Sequence, residues 1–495
     1  MYIETITVTK KNEAYLHVDC EPSIAMELSE YFCFFAVGYK FMPSYKNKMW
    51  DGKIRLFNTR ERKLYCGLFK YLEEFAETRG YQLVNDGATV HKEPNLEALL
   101  EMCTLTGGGN PITPRGYQLE AIHKALSDTK ALLLSPTASG KSLIIYLTMR
   151  YFLADNPKKK VLLIVPTTSL VEQMYSDFAD YSQNDQWNVE TNCHKIYSGK
   201  EKHDISQRVI ITTWQSIFKL PAAWFTEYGM VIGDEAHTFK AKSLTSIMDK
   251  CVNAEYRVGT TGTLDGTQTH QMVLEGVFGP VYKVTTTKAL MDDGSLSKMD
   301  IDILLLKYQD EFCKLVSKYK YQDEVDWIVT NEKRNAFIKN LALDQKGNTL
   351  VLFQFVAKHG KPLFKMIQEG AEKDRKVFYV SGETDVDTRE QVREITEKES
   401  NAIIVASLGT FSTGINIKRL HNIIFASPSK AQIKILQSIG RGLRKSNDGI
   451  DTKVYDIADD LHWKSNKNYT LNHAAERIKI YTKEHFDYKI YEVKI

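Results

Sequence analysis

The feature that most constrains the fold of this chain is a regular alternation of short apolar runs and longer amphipathic stretches, which occurs twice. The apolar runs are Ala131–Leu134, Val161–Val165, Val209–Thr212, Met230–Ile232 and Arg257–Gly259, then Thr349–Phe353, Lys376–Val380, Ala402–Ala406, Asn422–Ala426 and Lys453–Ile457. Strands that alternate with helices form βαβ units and parallel sheets. The pattern therefore predicts two α/β lobes, one after the other.

The chain ahead of these two series predicts a third, smaller domain. Residues 1–105 combine short alternating segments with one helical stretch, Leu68–Arg79, and the breaker cluster Gly107–Pro111 that follows is interpreted as a linker. A chain of 495 residues is long enough for several domains. We expect a small α+β domain at 1–105, a first lobe at 112–295, and a second lobe at 296–495 that includes a helix at Leu471–Phe486.

Charge and cysteine content narrow the class of protein. The net charge is only +3, so any surface for a polyanion must come from local segregation of charge. The seven cysteines include no C-x-x-C pair, which argues against a zinc ribbon and fits a reducing compartment. Neither a signal peptide nor an apolar run of about 20 residues is found. We expect a cytoplasmic protein that does not bind membranes and is monomeric.

A loop typical of phosphate binding follows the first apolar run. It stands between a predicted strand and the apolar helix Leu143–Arg150, where backbone N–H groups can cradle phosphates. Lys141 would reach the β and γ phosphates of ATP, and the Ser142 hydroxyl would ligate Mg²⁺. A plain strand-to-helix turn is the alternative, because the loop begins with Ser instead of Gly. The assigned residues are Ser135, Pro136, Thr137, Ala138, Ser139, Gly140, Lys141 and Ser142.

An acidic tetrapeptide, Asp234–His237, follows the apolar run Met230–Ile232. Carboxylates at the carboxyl ends of parallel strands lie at the sheet edge where ligands bind. Asp234 would hold Mg²⁺, partly through water, and Glu235 would orient and deprotonate the attacking water. An exposed acidic turn is the alternative. Since the phosphate loop lies about 90 residues upstream, the sequence favours the catalytic interpretation.

Two arginines in the second lobe predict the other half of a nucleotide site. Arg441 and Arg444 are three residues apart in the segment Gln437–Arg444, so one helix face can present two guanidiniums to a γ-phosphate. ATP would then lie in a cleft between the lobes, and its hydrolysis would change their separation. A solvated basic helix face is the alternative.

The N-terminal region contains a basic and aromatic stretch between Tyr39 and Lys63. Eight basic residues and two acids give it a charge of +6, with aromatic residues interleaved. Cations for phosphates and rings for stacking are typical of a nucleic-acid surface. The alternative is a small domain whose rings are core and whose lysines are solvated. The candidate DNA contacts here are Lys46, Lys48, Trp50, Lys53 and Arg55.

In their order along residues 112–460, these segments resemble the motif set of superfamily two helicases. The resemblance implies two tandem RecA-like parallel-sheet lobes and a DNA-dependent ATPase or helicase that uses ATP and Mg²⁺. Arg115–Gln118 resembles the adenine-reading motif, with Tyr117 and Gln118 at the nucleotide. Further matching positions are Thr167 and Thr213 in the strand-tracking motifs, Thr261–Thr263 in the coupling motif, and Val351–Phe355, Gly414 and Gln437 in the second lobe.

More narrowly, the segment Met49–Leu56 and the overall length resemble the recombination helicases of bacteriophages. That resemblance implies an N-terminal DNA-recognition domain, residence in the host cytoplasm, and branched DNA substrates such as forks, Holliday junctions and the RNA–DNA hybrids of R-loops. Two alternatives stay open. One is a motor that moves along duplex DNA without separating strands, or that acts on RNA. The other is a nucleic-acid-binding switch gated by ATP, which would have no need of the base Glu235.

Overall fold

The structure, a computed structural model, describes residues 4–89, 91–136, 138–197, 201–203, 205–264, 267–296, 298–414, 420–428 and 451–495. The chain forms two compact units, one of residues 1–135 and 140–285 and one of residues 136–139 and 286–495. Each unit is described by itself below. The first contains the N-terminal region and the first lobe, and the second contains the second lobe.

The N-terminal region is an α+β domain around a sheet of five strands in the order β5-β6-β2-β1-β7. Alternate residues of β1 and β2 are buried against α1 and α3, as the period of a half-buried strand requires. The elements are β1 (Thr5–Lys10), β2 (Tyr15–Asp19), α1 (Pro22–Tyr31), β3 (Cys33–Phe35), α2 (Pro43–Lys46), β4 (Lys53–Arg55), β5 (Phe57–Asn58), β6 (Lys63–Tyr65), α3 (Phe69–Arg79) and β7 (Gln82–Asp86). The next helix, α4 (Leu96–Met102), buries Leu99 in the core of the first lobe.

The segment interpreted from the sequence as a linker is instead a tight hairpin, β8 (Thr106–Gly107) and β9 (Asn110–Pro111). Gly108 and Gly109 both have positive φ, which explains the breaker residues: they form the turn. The hairpin is also fixed, because the Gly108 N–H donates to the Asp180 carboxylate at 2.8 and 2.9 Å. The linker interpretation was therefore wrong.

The first lobe is a parallel sheet of seven strands, in the order β12-β13-β11-β14-β15-β10-β16, with helices on both faces. Its interior strands are buried on both sides, which explains their continuous apolar runs. The elements are α5 (Gly116–Ser127), β10 (Lys130–Leu134), α6 (Lys141–Asp155), β11 (Lys160–Val165), α7 (Thr168–Tyr181), α8 (Val189–Asn192), β12 (Cys193–Ile196), β13 (Val209–Thr213), α9 (Trp214–Ile217), β14 (Tyr228–Asp234), α10 (Lys242–Lys250), β15 (Tyr256–Thr261), α11 (Gln268–Phe278) and β16 (Val281–Lys283).

The second lobe repeats this plan, with seven described strands in the order β19-β20-β18-β21-β22-β17-β23, all parallel. The elements are α12 (Thr287–Asp292), β17 (Met299–Lys307), α13 (Asp310–Val316), α14 (Tyr321–Thr330), α15 (Glu332–Asp344), β18 (Thr349–Phe353), α16 (Lys361–Gly370), β19 (Val377–Val380), α17 (Val386–Lys398), β20 (Ile403–Ser407), α18 (Leu408–Gly414), β21 (Asn422–Phe425), β22 (Thr452–Asp460), α19 (Tyr469–Lys483) and β23 (Tyr488–Lys494).

These sheets confirm the predicted fold class: two parallel-sheet lobes after a small α+β region. Every apolar run identified in the sequence coincides with an observed strand, and the ends differ by about three residues at most. No helix in the described part of the chain has both the length and the apolar composition that crossing a membrane requires.

Candidate nucleotide site and nucleic-acid surface

The predicted nucleotide residues of the first lobe meet at one edge of its sheet. Because the strands are parallel, their carboxyl ends share that edge, where ligands bind in open α/β sheets. Ser135 follows β10, Asp234 ends β14 and Thr261 ends β15. β15 lies between the other two, so the phosphate loop and the acidic motif are two strands apart, about 10 Å across the sheet.

The backbone of the phosphate loop has the shape of an anion cradle. Ala138 has φ +67° and Gly140 has φ +80°, and the positive end of the α6 dipole begins at Lys141. The Ser135 N–H donates to the Thr261 carbonyl at 2.8 Å, which fixes the start of the loop to β15. The Lys141 ammonium donates to the Ser135 carbonyl at 3.3 Å. Thr137 lies outside the described residues.

Gln118 connects the loop to the predicted adenine-reading motif. It is buried, and its Oε1 accepts a hydrogen bond from the Arg115 N–H at 2.8 Å, which caps α5. A Cβ added at Gly140 would lie only 2.3 Å from Gln118 Nε2, and the left-handed φ of +80° at this position favours glycine. Tyr117 packs against the lobe core, and its hydroxyl accepts from Arg115 at 2.9 Å. The structure therefore places Gln118 beside the loop.

Asp234 is a buried carboxylate with a perturbed pKa. Its Oδ1 accepts a hydrogen bond from Thr260 Oγ1 at 2.7 Å. Burial raises its pKa, the neighbouring Glu235 charge raises it further, and the Lys141 ammonium opposes both effects. Lys141 and Asp234 are thus close enough to interact, although they come from different strand ends. Perturbed pKa values of this kind are typical of functional sites.

Glu235 occupies a left-handed backbone conformation, with φ +50° and ψ +50°. Such a conformation costs a non-glycine residue of the order of 1–3 kcal/mol and persists where neighbouring structure holds it. His237 supplies one neighbour, since its Nδ1 lies 3.3 Å from Glu235 Oε2 and 3.0 Å from Thr261 Oγ1. His237 thereby joins the acidic motif to Thr261–Thr263. His237 was not among the residues predicted from the sequence, although it stands within the motif.

Ser142 also has a partner that the sequence analysis missed. Its hydroxyl lies 3.0 Å from the Tyr181 hydroxyl, at the last residue of α7. Tyr181 in turn packs on Tyr146 of α6. Tyr181 is 39 residues from Ser142, and no spacing rule would have connected the two.

The donor set at this edge fits Mg²⁺ with a nucleotide. A hydroxyl, Ser142, and a carboxylate, Asp234, are the oxygen ligands that Mg²⁺ uses beside phosphates, and the cradle supplies N–H groups for the phosphates themselves. The lobe therefore has the chemistry for binding a triphosphate and positioning a water at its end.

The two predicted strand-tracking residues lie at the same sheet edge on neighbouring strands. Thr213 ends β13 directly opposite Val165 of β11, and Thr167 follows two residues later as the N-cap of α7. The Thr167 hydroxyl accepts from the Leu170 N–H at 3.3 Å, and the Thr213 hydroxyl lies 3.0 Å from that of Ser216. The Thr167 hydroxyl thus caps α7, whereas the Thr213 hydroxyl contacts only another side chain.

In the second lobe, two predicted motifs lie at β18 and directly after β20. Gly414 is the last residue of α18, which follows β20. Gln437, Arg441 and Arg444 lie outside the described residues. Val351–Phe355 contains most of β18, and the Gln354 N–H donates to Ser427 Oγ at 3.0 Å. That hydroxyl also lies 3.0 Å from His359 Nδ1 in the core of the lobe.

Buried ion pairs hold the carboxyl end of β22 in this lobe, and the sequence analysis had assigned them no role. Asp459 accepts from Arg334 Nε at 2.7 Å and from the Tyr308 hydroxyl at 2.7 Å. Asp456 pairs with Arg477 of α19 at 2.7 Å. All four charged groups are buried, and such pairs are costly to break by removing one partner. They anchor β22 to α15 and α19.

The predicted DNA residues lie in a distinct arm of the N-terminal domain, residues 33–55. β3 and β4 pair antiparallel in a two-stranded sheet of their own, with α2 between them. Lys46 and Lys48 are exposed. Trp50 is half-buried and its indole N–H donates to the Lys53 carbonyl at 3.0 Å, so its ring supports the arm. Arg55 forms a two-pronged ion pair with Asp51.

The comparisons with known proteins agree with this architecture. The model for the type III restriction enzyme res subunit matches residues 111–266, the helicase conserved C-terminal domain matches 332–446, and the DNA helicase UvsW N-terminal domain matches 5–86. A fragment of a putative HsdR subunit of a type I restriction enzyme from Vibrio vulnificus YJ016 covers 89% of this chain and is 78% covered, with TM-score 0.58 and 16% identity. That similarity shows the fold alone.

Two further relatives extend over most of the chain. The DNA 3'-5' translocase XPB2 of Sulfurisphaera tokodaii is 22% identical over 67% of this chain and 79% of its own. The ATP-dependent DNA helicase uvsW of Enterobacteria phage T4 is 36% identical over 97% of this chain and 98% of its own. The crystal structure of T4 UvsW covers 99% of both chains at TM-score 0.52 and 34% identity. The chain therefore belongs to the UvsW family of ATP-dependent DNA helicases, within superfamily two.

Proposed function

We propose that this helicase acts on branched DNA, namely forks, Holliday junctions and R-loops with their RNA–DNA hybrids. The observation that carries the proposal is the N-terminal domain, which the UvsW N-terminal model matches and which bears the cation-rich arm. The arm adds positive charge in a domain that contains none of the predicted nucleotide residues. A second DNA contact of this kind is what recognition of DNA shape requires beyond the motor.

In this proposal, residues at the sheet edge of the first lobe bind and hydrolyse ATP. Lys141 and the loop backbone hold the phosphates, Tyr117 and Gln118 lie at the adenine, and Ser142 and Asp234 hold Mg²⁺. Bound Mg²⁺ neutralises charge on the phosphates during transfer. Glu235 accepts the proton of the attacking water. Thr167 and Thr213 contact the DNA backbone, and Gly414, Gln437, Arg441 and Arg444 are the second-lobe residues that we propose for nucleotide binding and hydrolysis.

Strand-displacement assays on a fork, a plain duplex and an RNA duplex of equal length test the substrate class. We expect ATP-dependent displacement that is fastest on the fork, and none with Lys141→Ala, which lacks the charge on the β and γ phosphates. The exposed Lys124→Ala is the matched control and should behave as the unchanged protein. Hydrolysis on plain duplex without any displacement would instead identify a translocase, and equal rates on all three would contradict the branched-DNA proposal.

The arginine assignment has its own test. Arg441→Ala should lower the rate of hydrolysis by about 10³–10⁵ if its guanidinium stabilises the transferring phosphate. Arg393→Ala is the matched control, since Arg393 in the same lobe pairs with Glu397 within α17. Unchanged hydrolysis by Arg441→Ala would remove Arg441 from the site.

A further inference from the structure

The exposed apolar side chains of the N-terminal domain concentrate in the arm. Phe41 is 80% exposed and Met49 is 81% exposed, and Val37, Phe35 and Met42 are exposed as well. Side chains of this size normally gain free energy by burial, so a cluster of them in water indicates a binding surface. Phe41 therefore lies outside any core, whereas Tyr39, Tyr45 and Trp50 are partly buried, as the alternative left open by the sequence has them.

A second set of aromatic residues holds the arm in shape. Tyr39 stacks on Phe35 with 4.6 Å between ring centroids, and Tyr45 packs edge-on against Tyr39 at 4.8 Å. A Cβ added at Gly52, where φ is +81°, would lie 2.4 Å from the Tyr39 ring. The aromatic residues of the arm thus divide into scaffold rings and the exposed ring of Phe41.

The charge around these side chains has one sign. Between Ala36 and Trp50 the charged residues are Lys40, Lys46 and Lys48, all exposed, with no carboxylate among them. The next acid, Asp51, is neutralised by its ion pair with Arg55, which also lowers the Asp51 pKa to about 2. An apolar surface whose charged neighbours along the chain are cations fits an anionic partner that also exposes flat apolar faces.

Unpaired bases in DNA have those two properties. In an intact duplex the base faces are covered by stacking, so lysines can reach phosphates but a ring finds no base face. At a branch point the stack is interrupted, and a base face is open beside the phosphates. Aromatic side chains stack on such bases without sequence preference. The partner that the arm fits best is therefore DNA at a point where stacking is broken.

We propose that the arm recognises the branch point itself: Phe41 stacks on an unstacked base while Lys40, Lys46 and Lys48 contact the flanking phosphates. This inference rests on the proposed branched-DNA function and gives it a structural origin. Plain duplex offers only the phosphates, so it is bound through the lysines alone. Preference for branched over plain DNA then arises from one ring, and general affinity arises from the cations.

Binding of the full-length protein to a fork and to a duplex of equal length, measured by fluorescence anisotropy without nucleotide, separates the two contributions. Phe41→Ala should lower fork affinity roughly tenfold and leave duplex affinity within about twofold, since stacking is sequence-tolerant but needs an open base. Phe41→Trp should keep the preference, and Phe41→Leu, which is apolar without a ring, should lose it. Met26→Ala, an exposed apolar residue on α1, is the matched control.

Replacing Lys40, Lys46 and Lys48 together by Ala should weaken fork and duplex binding alike. It should also reduce the slope of log affinity against log salt by up to about 0.9 for each lost phosphate contact. Because all the changed side chains are exposed, melting temperatures should stay unchanged and exclude misfolding as the cause.

The outcomes separate this inference from the proposal on which it rests. If the unchanged protein binds fork and duplex equally, the branched-DNA function fails. If it prefers forks and Phe41→Ala behaves as Met26→Ala does, the function stands and the stacking role is overturned, which would leave the apolar side chains for a protein partner. A fork preference lost in Phe41→Ala and Phe41→Leu but kept in Phe41→Trp supports stacking.

Discussion

At the scale of single residues, two adjacent carboxylates at the proposed nucleotide edge differ in their surroundings, and we propose different roles for them. Asp234 is buried and hydrogen-bonded by Thr260, which suits a fixed ligand. Glu235, directly after β14, is held in a left-handed backbone conformation that is strained for a non-glycine residue. Their roles can therefore be tested one at a time.

Glu235→Gln keeps the size of the side chain but cannot accept a proton. We expect ATP and Mg²⁺ to bind as in the unchanged protein, and hydrolysis to slow by about 10²–10⁴, the usual contribution of a general base. Equilibrium binding of a fluorescent ATP analogue and steady-state ATPase assays measure the two effects. Loss of nucleotide binding itself would mean that Glu235 is structural.

The pKa of Asp234 predicts how the magnesium requirement varies with pH. Its pKa is raised above the ordinary value of 3.8, first by burial and then by the charge of Glu235. Mg²⁺ needs the carboxylate form, so protonation competes with the metal. As pH falls towards the raised pKa, the Mg²⁺ concentration for half-maximal ATPase should increase. Magnesium titrations at several acidic to neutral pH values check this, and a requirement independent of pH would contradict it.

At the scale of elements, one helix of the first lobe also belongs to the N-terminal domain. Met272 and Val273 of α11 are part of the N-terminal core. The Tyr71 hydroxyl donates to Glu275 of the same helix at 2.5 Å. Tyr15 and Tyr65 both donate to Asp249 at the end of α10, at 2.6 and 3.1 Å, and burial raises the pKa of Tyr65 to about 12. The contact of the N-terminal domain with α10 and α11 is therefore both apolar and hydrogen-bonded.

Gly67 lies at a very close contact between the N-terminal domain and the backbone of α11. A Cβ there would lie 1.9 Å from the Glu275 carbonyl oxygen, a backbone atom of α11 that cannot move aside cheaply. Gly67→Ala should therefore destabilise the protein by about 1–3 kcal/mol or more, as overpacking does. Gly116→Ala, with open space around the added methyl, should have almost no effect. Thermal melting of both variants measures the difference, and equal melting temperatures would contradict the close contact.

The elements that the sequence predicted most clearly are those that are most completely buried. The central strands β11, β14, β18 and β20 are covered on both faces, so their apolar runs are unambiguous. The edge strand β23 is exposed along almost its whole length, and its pairing with β17 spans nearly 200 residues, so no local pattern indicates it. The hairpin at Gly107–Pro111 was misread because turn glycines and linker glycines look alike until Asp180 is seen beside them.

Candidate site residues could likewise be predicted where a local motif places them, and not where the tertiary fold does. Lys141, Ser142, Asp234 and Glu235 stand in local motifs with a fixed relation to a strand end, and the structure gathers them at one edge. Tyr181 and Thr260 reach that edge through the tertiary fold, so their contacts with Ser142 and Asp234 could not be predicted from the sequence. The exposure of Phe41 and the burial of Trp50 likewise depend on how the arm folds.

At the scale of the whole molecule, the first compact unit determines what truncation does. The sequence predicted a separate domain at residues 1–105, and every predicted nucleotide motif lies beyond residue 112, so a truncated chain would keep all of these motifs. The structure changes that expectation, because removal exposes Met272 and Val273 and leaves Asp249 and Glu275 without their tyrosine donors. The truncated protein should melt at a lower temperature and aggregate, as scanning calorimetry and light scattering would show. A monodisperse truncated protein with normal basal ATPase would contradict this.

The shared helix α11 also determines which segments can be transferred together from one helicase to another. A domain can be transplanted when its core is its own, but here part of the N-terminal core is encoded about 200 residues downstream, beyond the phosphate loop. A chimaera that joins residues 1–86 to another motor would lack the α11 side chains that fill the N-terminal core. Gly67 would also lose the α11 backbone that it approaches closely. Such a chimaera should fold only when it also includes the α11 residues that pack in the N-terminal core. In evolution, too, the two segments would have to change together, although they are far apart in the gene.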